Sequence, residues 1–412
     1  SGAFNSLTTS GMPSNITASL GYDANDVFLD VKLSALSPLL ISPTRNEANT
    51  AAGIDAAIKQ GGVASGGMAA LFNLSGVSLD HALDQASGGI APNLARAASQ
   101  SFRPFLTSMM SQGASNGSSA TAGALQLTQS GIGTPRVWGA VVGGYAGLSA
   151  NSTTGAAGLS ASNVGLAAGV DAGINANLRA GAGIGISMEN FSSGNGTGSS
   201  RDLMLGLYAR QTVLKNGYVS ASFGYGLHDI HTSRVVTVSS VDVLKANFPA
   251  WEYGGRIEGG YRVTLGGRYG FTPYAAVTAE NFEAPAYAES AAFGSSSFAS
   301  SYASHATDIS HTEFGVRLDR DLALDKAIVS LTATAAWAHE LDTDPTAFAS
   351  FQSLPGSNFA LYGVRPATDT ALLGLHADVR NTNGVVYGIR VNSQVGLGTT
   401  IVEGAGMLAY RW

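Results

Sequence analysis

The sequence predicts an all-β membrane protein. About twelve antiparallel strands close into a transmembrane barrel, preceded by an α-helical linker that plugs the lumen. From about residue 135 to the end, apolar and polar residues alternate with period two, which indicates strands. These segments are about 10 to 14 residues long, nearer to a tilted membrane strand than to a globular one. Short turns such as "NAN", "LKNG" and "NTNG" alternate with loops of mostly about a dozen residues or more, the asymmetry of outer-membrane barrels.

The composition is typical of a membrane barrel rather than of a soluble protein of this size. Only 12% of the 412 residues are charged, about half the usual share. No run approaches the roughly 18 consecutive apolar residues of a membrane-spanning helix, so strands must cross the membrane. The net charge of −6, without a basic cluster, argues against nucleic acid as a partner. The absence of cysteine excludes disulfides and thiolate metal sites.

Residues 1–43 form the first region of the chain and show the pattern of strands. Val27, Leu29 and Val31 alternate with Asp26 and Asp30, which predicts one or two strands of a unit that begins upstream. The first residues, "SGAFNSLTTSG", lack the basic region and apolar stretch of a signal peptide. We therefore expect either that a signal peptide has been removed or that this chain is a fragment.

Residues 44–134 have helical periodicity and end in a flexible segment. The stretches "NEANTAAGIDAAIKQ", "SLDHALDQAS" and "NLARAASQSFRPFLTSMM" predict helices poor in large apolar residues. Helices of this kind suit a tight polar cavity better than an oily core. The following "SQGASNGSSATAGAL" is typical of a Gly/Ser linker. We expect part of residues 91–110, or of the linker, to lie inside the barrel; the alternative is a cap outside it at the periplasmic end.

The barrel is predicted over residues 135–412, with one apolar face and one polar face. Leu203, Leu205 and Leu207 share a face opposite Asp202, and the same split recurs in later segments. A soluble β-sandwich shows this alternation too, but the strand lengths and the turn asymmetry favour the barrel. An Arg or Lys facing lipid near the midplane costs about 2–4 kcal/mol. The charged residues assigned to the lumen are therefore Arg210, Arg256, Glu258, Arg262, Glu313, Arg317, Asp378 and Arg390.

The strand starts and the tryptophans complete the predicted barrel. The starts lie near Val137, Val164, Leu178, Arg201, Tyr218, Trp251, Tyr269, Asp308, Ala327, Thr370, Val385 and Thr399. The tryptophans fall at strand ends, where an aromatic girdle places two at each membrane interface. They are Trp138, Trp251, Trp337 and Trp412.

Several motifs follow one another in a distinctive order. They are "LGYDANDVFLDV", "LSGVSLDHALDQA", "RVWGAVVGGYAG", "GVDAGINANLRAGAGIGIS", "TAAWAHEL", "ALYGVRPATDTALLGL" and the terminal "GAGMLAYRW". Together they resemble the C-terminal translocator of a bacterial autotransporter, the type V secretion pathway. The resemblance covers residues 19 to 412. It implies a barrel in the bacterial outer membrane that delivers its own N-terminal passenger to the cell surface.

The resemblance also implies partners and an assembly signal. The partners are outer-membrane lipid, the barrel-assembly machinery, periplasmic chaperones and the passenger, whose β-helical end is residues 1–43; no cofactor is implied. In this family the final strand is a recognition signal, carried here by Leu408, Tyr410 and Trp412. The usual glycine five residues before the last aromatic is replaced by Met407, with Gly406 one step away. Recognition therefore rests on the aromatics.

No catalytic motif in the sequence has the context that its chemistry needs, so we expect no enzyme. "GASNG" at residues 113–117 matches the serine nucleophile pattern but falls in the linker with no strand before it. His228 and His231 lack a further ligand for a metal. Some relatives cleave their passenger inside the lumen with an acidic residue, and the sequence does not select among Glu258, Glu313 and Asp378. A plugged outer-membrane channel for small solutes is the alternative function, although it has no use for the long upstream region.

Overall fold

The computed structural model describes residues 3–10, 12, 16–33, 35–114, 133, 135–214, 216–266, 269–341 and 345–411. The chain begins with a hairpin of β1 (Ile16–Tyr22) and β2 (Val27–Leu33). The carboxylate of Asp23 accepts the amides of Asn25 and Asp26 at 2.8 and 2.6 Å, which fixes the turn. Leu20 pairs with Leu29 and Tyr22 with Val27, so one face of the hairpin is apolar.

Four α-helices follow, with short 3₁₀ turns at Ser37–Leu39, Leu71–Asn73 and Ala91–Asn93. They are α1 (Arg45–Lys59), α2 (Gly67–Ala70), α3 (Val77–Ser87) and α4 (Leu94–Ala114). Helix α1 begins with a capping box in which Thr44 and Glu47 each bond the other's backbone amide. Among the described helices, none combines the length and the apolar character needed to cross a membrane.

Twelve antiparallel strands close into a barrel, which confirms the predicted fold class and strand number. Strands β3 and β20 pair from Leu148 with Thr399 to Arg136 with Arg411 and close the ring. The strands are β3 (Pro135–Leu148), β4 (Leu159–Gly173), β5 (Leu178–Ser193), β6 (Gly196–Val213), β7 (Gly217–Val236), β8 (Asp242–Tyr261), β10 (Tyr269–Ala284), β14 (His305–Leu324), β15 (Ala327–Glu340), β18 (Asp369–Asn381), β19 (Val385–Gly396) and β20 (Thr399–Arg411).

The observed starts match the predicted ones at five strands and come earlier in the others. The largest difference is in β8, which starts at Asp242 rather than at Trp251. The extra residues, "DVLKANFPA", lie at the end of the barrel with the long loops. Their outward face, which carries Lys245 and Asn247, is not continuously apolar, whereas Leu244, Ala246, Phe248 and Ala250 point inward and are buried. The apolar alternation therefore marks the part of each strand that faces lipid, and the paired strand continues beyond it.

Two long loops build a small second sheet at the long-loop end of the barrel. It consists of β11 (Tyr287–Ala288), β13 (Ser300–Tyr302), β16 (Thr346–Phe351) and β17 (Asn358–Tyr362). Two further short strands, β9 (Val263–Leu265) and β12 (Ser290–Phe293), extend the barrel wall. Helices α1 and α3 share a buried apolar core with this sheet. We call α1–α3 together with the four-stranded sheet the cap.

The helices predicted over residues 44–134 therefore occupy two places. Of the helices that the structure describes, only α4 lies inside the barrel, whereas α1–α3 lie in the cap, at the end opposite to the short turns. The alternative of a helical cap at the periplasmic end is wrong for these helices. The Gly/Ser linker, residues 115–132, lies outside the described residues.

Candidate functional site: the barrel lumen

Helix α4 runs through the lumen from the long-loop end toward the short-turn end. Its first residue, Leu94, packs with Leu148, at the end of β3, and with Leu159, at the start of β4. Phe105 and Met109, in its fourth and fifth turns, lie in one buried apolar cluster with Trp138 near the start of β3. Helix α4 therefore begins at the long-loop end of the barrel and ends at the short-turn end.

One side of α4 fits against a row of glycines on the barrel wall. A Cβ atom built at Gly185 would lie 2.8 Å from the ring of Phe105, and one at Gly206 would lie 2.8 Å from the sulfur of Met109. At Gly224 it would lie 2.9 Å from Leu106. At these distances an added Cβ atom would force the facing side chains of α4 to move. The glycine track, which we define as Gly183, Gly185, Gly206, Gly224 and Gly226, thus makes room for the apolar face of α4.

The opposite side of α4 is held by charged and polar contacts. The carboxylate of Glu280, which is 3% exposed, accepts Ser99 Oγ at 2.8 Å and Arg103 Nε at 3.0 Å. Arg96 lies 3.7 Å from Glu340. The predicted lumen residue Arg390 donates to the carbonyl of Thr107 at 3.3 Å and to Ser108 Oγ at 3.4 Å. The wall therefore recognises α4 by both shape and charge.

Trp138 lies inside the lumen, which corrects its assignment to the girdle. It is 3% exposed, and its indole N–H donates to Tyr208 Oη at 2.7 Å. Tyr208 in turn donates to the buried carboxylate of Asp171 at 2.6 Å, which also accepts Arg136 at 2.6 Å and pairs with Arg179. Position along the strand alone suggested a girdle. Trp138 lies two residues after Arg136 in the strand, so both side chains point to the same face, and this alternation could have placed Trp138 in the lumen.

Two of the tryptophans, Trp251 and Trp337, face outward from the barrel wall. Trp337 is 46% exposed, stacks on Phe314 with ring centroids 5.9 Å apart, and donates to Asp369 at 3.0 Å. Trp251 donates to Glu283 at 2.6 Å on the outer face of β8, where the outward side chains become polar toward the long-loop end. Trp412 lies outside the described residues.

A cavity of about 510 Å³ remains beside α4, and all eight predicted lumen charges line it. Most of them form ion pairs, either within β8 or between β8 and β14, which lie on the two sides of β10. Arg317 Nη1 lies 2.6 Å from Glu258 Oε1, Arg256 Nη2 lies 2.9 Å from Glu258 Oε2, and Arg256 also pairs with Glu313. Arg262 pairs with Asp319 at 2.6 Å. The lining includes turn residues such as Asn177, so the polar cavity reaches the short-turn end.

Sequence reasoning missed two acidic lumen residues that pair with arginines of α4. Glu280 and Glu340 have the parity of lumen residues in β10 and β15, and this parity could have identified them. Arg96 and Arg103 are seven residues apart on α4, which places them on one helix face. Together with the apolar stripe that contains Phe102, Phe105 and Met109, this charged stripe indicated a helix with two different contact surfaces.

The histidine pair discounted as a metal site is split by the strand. His228 points inward, and its Nδ1 lies 2.9 Å from Asp202, while Asp229 and His231 point outward. No group of three or more His, Asp or Glu residues in the described chain could hold a metal ion. "GASNG" begins at the last two residues of α4, and the rest lies outside the described residues.

The barrel with its helix has counterparts among solved structures. The translocator domain of the autotransporter NalP from Neisseria meningitidis aligns with a TM-score of 0.58 and 19% identity, covering 79% of this chain and 99% of that one. The β domain of the Bordetella autotransporter BrkA aligns with a TM-score of 0.51 and 18% identity, covering 67% and 98%. At these identities the likeness shows the fold alone. No curated protein sequence matches the chain.

A family profile identifies the chain more directly. The profile of the autotransporter β-domain matches residues 137–392, from the first strand of the barrel into its eleventh. This match covers more than half of the chain and agrees with the fold and with the resemblance of the sequence motifs. The chain therefore belongs to the autotransporter β-domain family, as an outer-membrane translocator barrel with a helix in its lumen.

Proposed function

We propose that this barrel delivers its own N-terminal passenger to the cell surface. The observation that carries the proposal is the direction of α4. In outer-membrane barrels the short turns face the periplasm and the long loops face the outside. The first barrel strand starts at the short-turn end, and α4 leads from that end through the lumen to the cap. A chain threaded in this way has its N-terminal part outside the cell.

The hairpin of β1 and β2 supports a passenger that continues from it. Tyr22, Val27, Leu29 and Val31 lie on its apolar face and are between 43% and 59% exposed. An isolated two-stranded hairpin is only marginally stable in water, and an exposed apolar face of this kind marks a surface that packs against another part of the protein. We take residues 1–43 to be the end of a larger β-structured passenger, which covers this face.

We also propose that the last strand is read by the barrel-assembly machinery, after periplasmic chaperones have kept the chain unfolded. Leu408 and Tyr410 point outward from β20 and are 60% and 46% exposed. Strand β20 closes the barrel against β3, so it must be placed before closure. Replacing Tyr410 and Trp412 by Ala should lower the inserted barrel while leaving synthesis intact; unchanged insertion would refute the signal. We assign the chain no enzymatic activity of its own.

Topology can be tested with single cysteines, since the chain has none of its own. Val63 in the cap is 75% exposed, and Asp325 is exposed in a short turn between β14 and β15. In intact Gram-negative cells, a membrane-impermeant maleimide should label Val63→Cys and leave Asp325→Cys unlabelled. Opening the outer membrane should make Asp325→Cys reactive. An epitope ahead of Ser1 should be lost to external protease while the barrel survives.

The same labelling experiment distinguishes delivery of a passenger from a plugged channel. A channel whose N-terminal region is a periplasmic plug keeps Val63→Cys protected in intact cells. It also has a protected epitope. Labelling of Val63→Cys only after the outer membrane is opened would therefore refute delivery of a passenger.

A further inference from the structure

The cap has one apolar core that is built from two distant parts of the chain. Of its described core residues, twelve come from residues 36–91 and eleven from strand ends and long loops of the barrel domain. Large side chains interlock across this boundary, with Ile54, Met68 and Leu83 from the helices and Phe298 and Phe351 from the loops, all at most 1% exposed. Neither part buries its apolar face alone.

Helix α1 covers the free edge of the cap sheet. Strand β17 pairs with β16 on one side only. On the other side, the amide side chain of Asn46 donates to the carbonyl of Tyr362 at 3.0 Å and accepts its N–H at 2.8 Å. Asn49 donates to the carbonyl of Ala360 at 2.9 Å. The helix side chains thus replace the missing neighbouring strand.

Gly53 brings α1 close enough to make these contacts. A Cβ atom at this position would lie 2.7 Å from the carbonyl oxygen of Asn358, a backbone atom that cannot swing away. A glycine inside a helix costs about 1 kcal/mol relative to alanine. Its presence here is explained by the fit to β17 rather than by the helix itself.

The end of α3 is fastened by a buried arginine from the barrel wall. Arg234, 1% exposed, donates to both carboxylate oxygens of Glu289 at 2.7 Å and to the carbonyl of Phe298 at 2.6 Å. Its remaining nitrogen donates to the carbonyls of Gln85 and Ala86, in the last turn of α3, at 3.1 and 2.9 Å. These helix-end carbonyls favour a cation, so Arg234 joins α3 to the loop between β10 and β14.

We propose that the cap sheet and Arg234 form a docking site for residues 36–91, and that docking holds the exported chain on the outer side of the barrel. This inference rests on the proposed direction of export. Residues 36–91 reach the docking site only after they have left the lumen. The lumen holds a single helix about 10 Å wide. The docked helices and sheet are wider than that, so the chain cannot slide back until the cap has come apart.

Gly53→Leu is the direct test, with Ala56→Leu as the matched control on the exposed face of α1. The chain carries only a short epitope ahead of Ser1, so that no folded passenger can hold it outside. In Gly53→Leu, hydrogen exchange in α1 and β17 should rise while the barrel strands remain protected. Surface labelling of a cysteine in the epitope should fall about fivefold or more. Ala56→Leu should change neither quantity.

A second variant, Asn46→Ala with Asn49→Ala, removes the edge hydrogen bonds without a clash and without weakening the helix. This double variant should also lower the surface labelling of the epitope cysteine, as Gly53→Leu does. Faster exchange in α1 and β17 with unchanged labelling would overturn retention and leave export standing. Unchanged exchange in Gly53→Leu would overturn the docking site. Equal loss of folded barrel in both variants would show that the cap serves barrel assembly, which also overturns the proposal. Absence of labelling in the unmodified chain would instead refute export itself.

Discussion

Two leucines of β18 provide a matched test of which barrel face meets lipid. Leu375 is the seventh of thirteen residues in the strand and is 69% exposed on the outer face, near the middle of the membrane. Leu372 shares the lumen face with His376 and Asp378 and lines the cavity. Both residues are replaced by arginine, so the side chain lost and the charge gained are identical. Only the face and the depth differ.

The expected cost follows from the surroundings of each guanidinium. At residue 375 it must leave water for hydrocarbon, which costs about 2–4 kcal/mol at the midplane of a membrane barrel. That free energy lowers the folding equilibrium by about thirtyfold to a thousandfold. At residue 372 it enters a polar cavity already lined by acidic side chains, so we expect a change within about 0.5 kcal/mol.

The assay is urea unfolding of the chain refolded into lipid vesicles, followed by the difference in electrophoretic mobility between folded and boiled barrels. Leu375→Arg should unfold at a clearly lower urea concentration than the unmodified chain, and Leu372→Arg should match it. Equal destabilisation of the two variants, or a larger effect at residue 372, would refute the face assignment and with it the lumen charges derived from the same alternation.

The lumen gives three further predictions. The larger side chain of Gly206→Ile should collide with Met109 and weaken the binding of α4 in the lumen by about 1–3 kcal/mol. The fraction of time that the barrel conducts ions in planar-bilayer recordings should therefore rise. Gly259→Ile, whose added Cβ meets its nearest atom at 3.8 Å, should leave it unchanged. Glu280→Gln removes the carboxylate that pairs with Arg103 and should weaken the binding of α4 in the lumen by about 1.5–3 kcal/mol, so α4 should become protease-sensitive at a lower temperature; adding Arg103→Gln should restore part of the loss, and no recovery would contradict the pairing. Brominated lipid should quench single-tryptophan variants carrying Trp337 strongly and Trp138 weakly; strong quenching of Trp138 would contradict its place in the lumen.

The two contact surfaces of α4 bear on how a barrel can hold a helix and yet serve as an export path. The apolar side chains of α4 fit a track made of glycine, so the wall presents backbone rather than bulky side chains there. The polar side uses a few charged contacts beside a cavity. The fit of Phe105 and Met109 to the glycine track fixes the position of α4 along the lumen.

The sequence by itself determined the barrel. Period-two alternation, strand length and short turns are local properties, and a shift by one residue would place every charge of a strand in lipid. The number of strands and the lumen side of residues such as Arg256 and Glu313 therefore followed from the pattern. Trp138 was misplaced because its position at a strand end was weighed above its parity.

Only the tertiary structure decided where the helices go. The composition of α1, α3 and α4 is similar, yet α4 enters the lumen and the others join the cap. Their partners are far away in the chain: Asn46 meets Tyr362 across 316 residues. The strands of the cap sheet are between two and six residues long, too short for a period to be read. A pattern within one segment can show that it needs a partner, but the choice of partner depends on packing between segments.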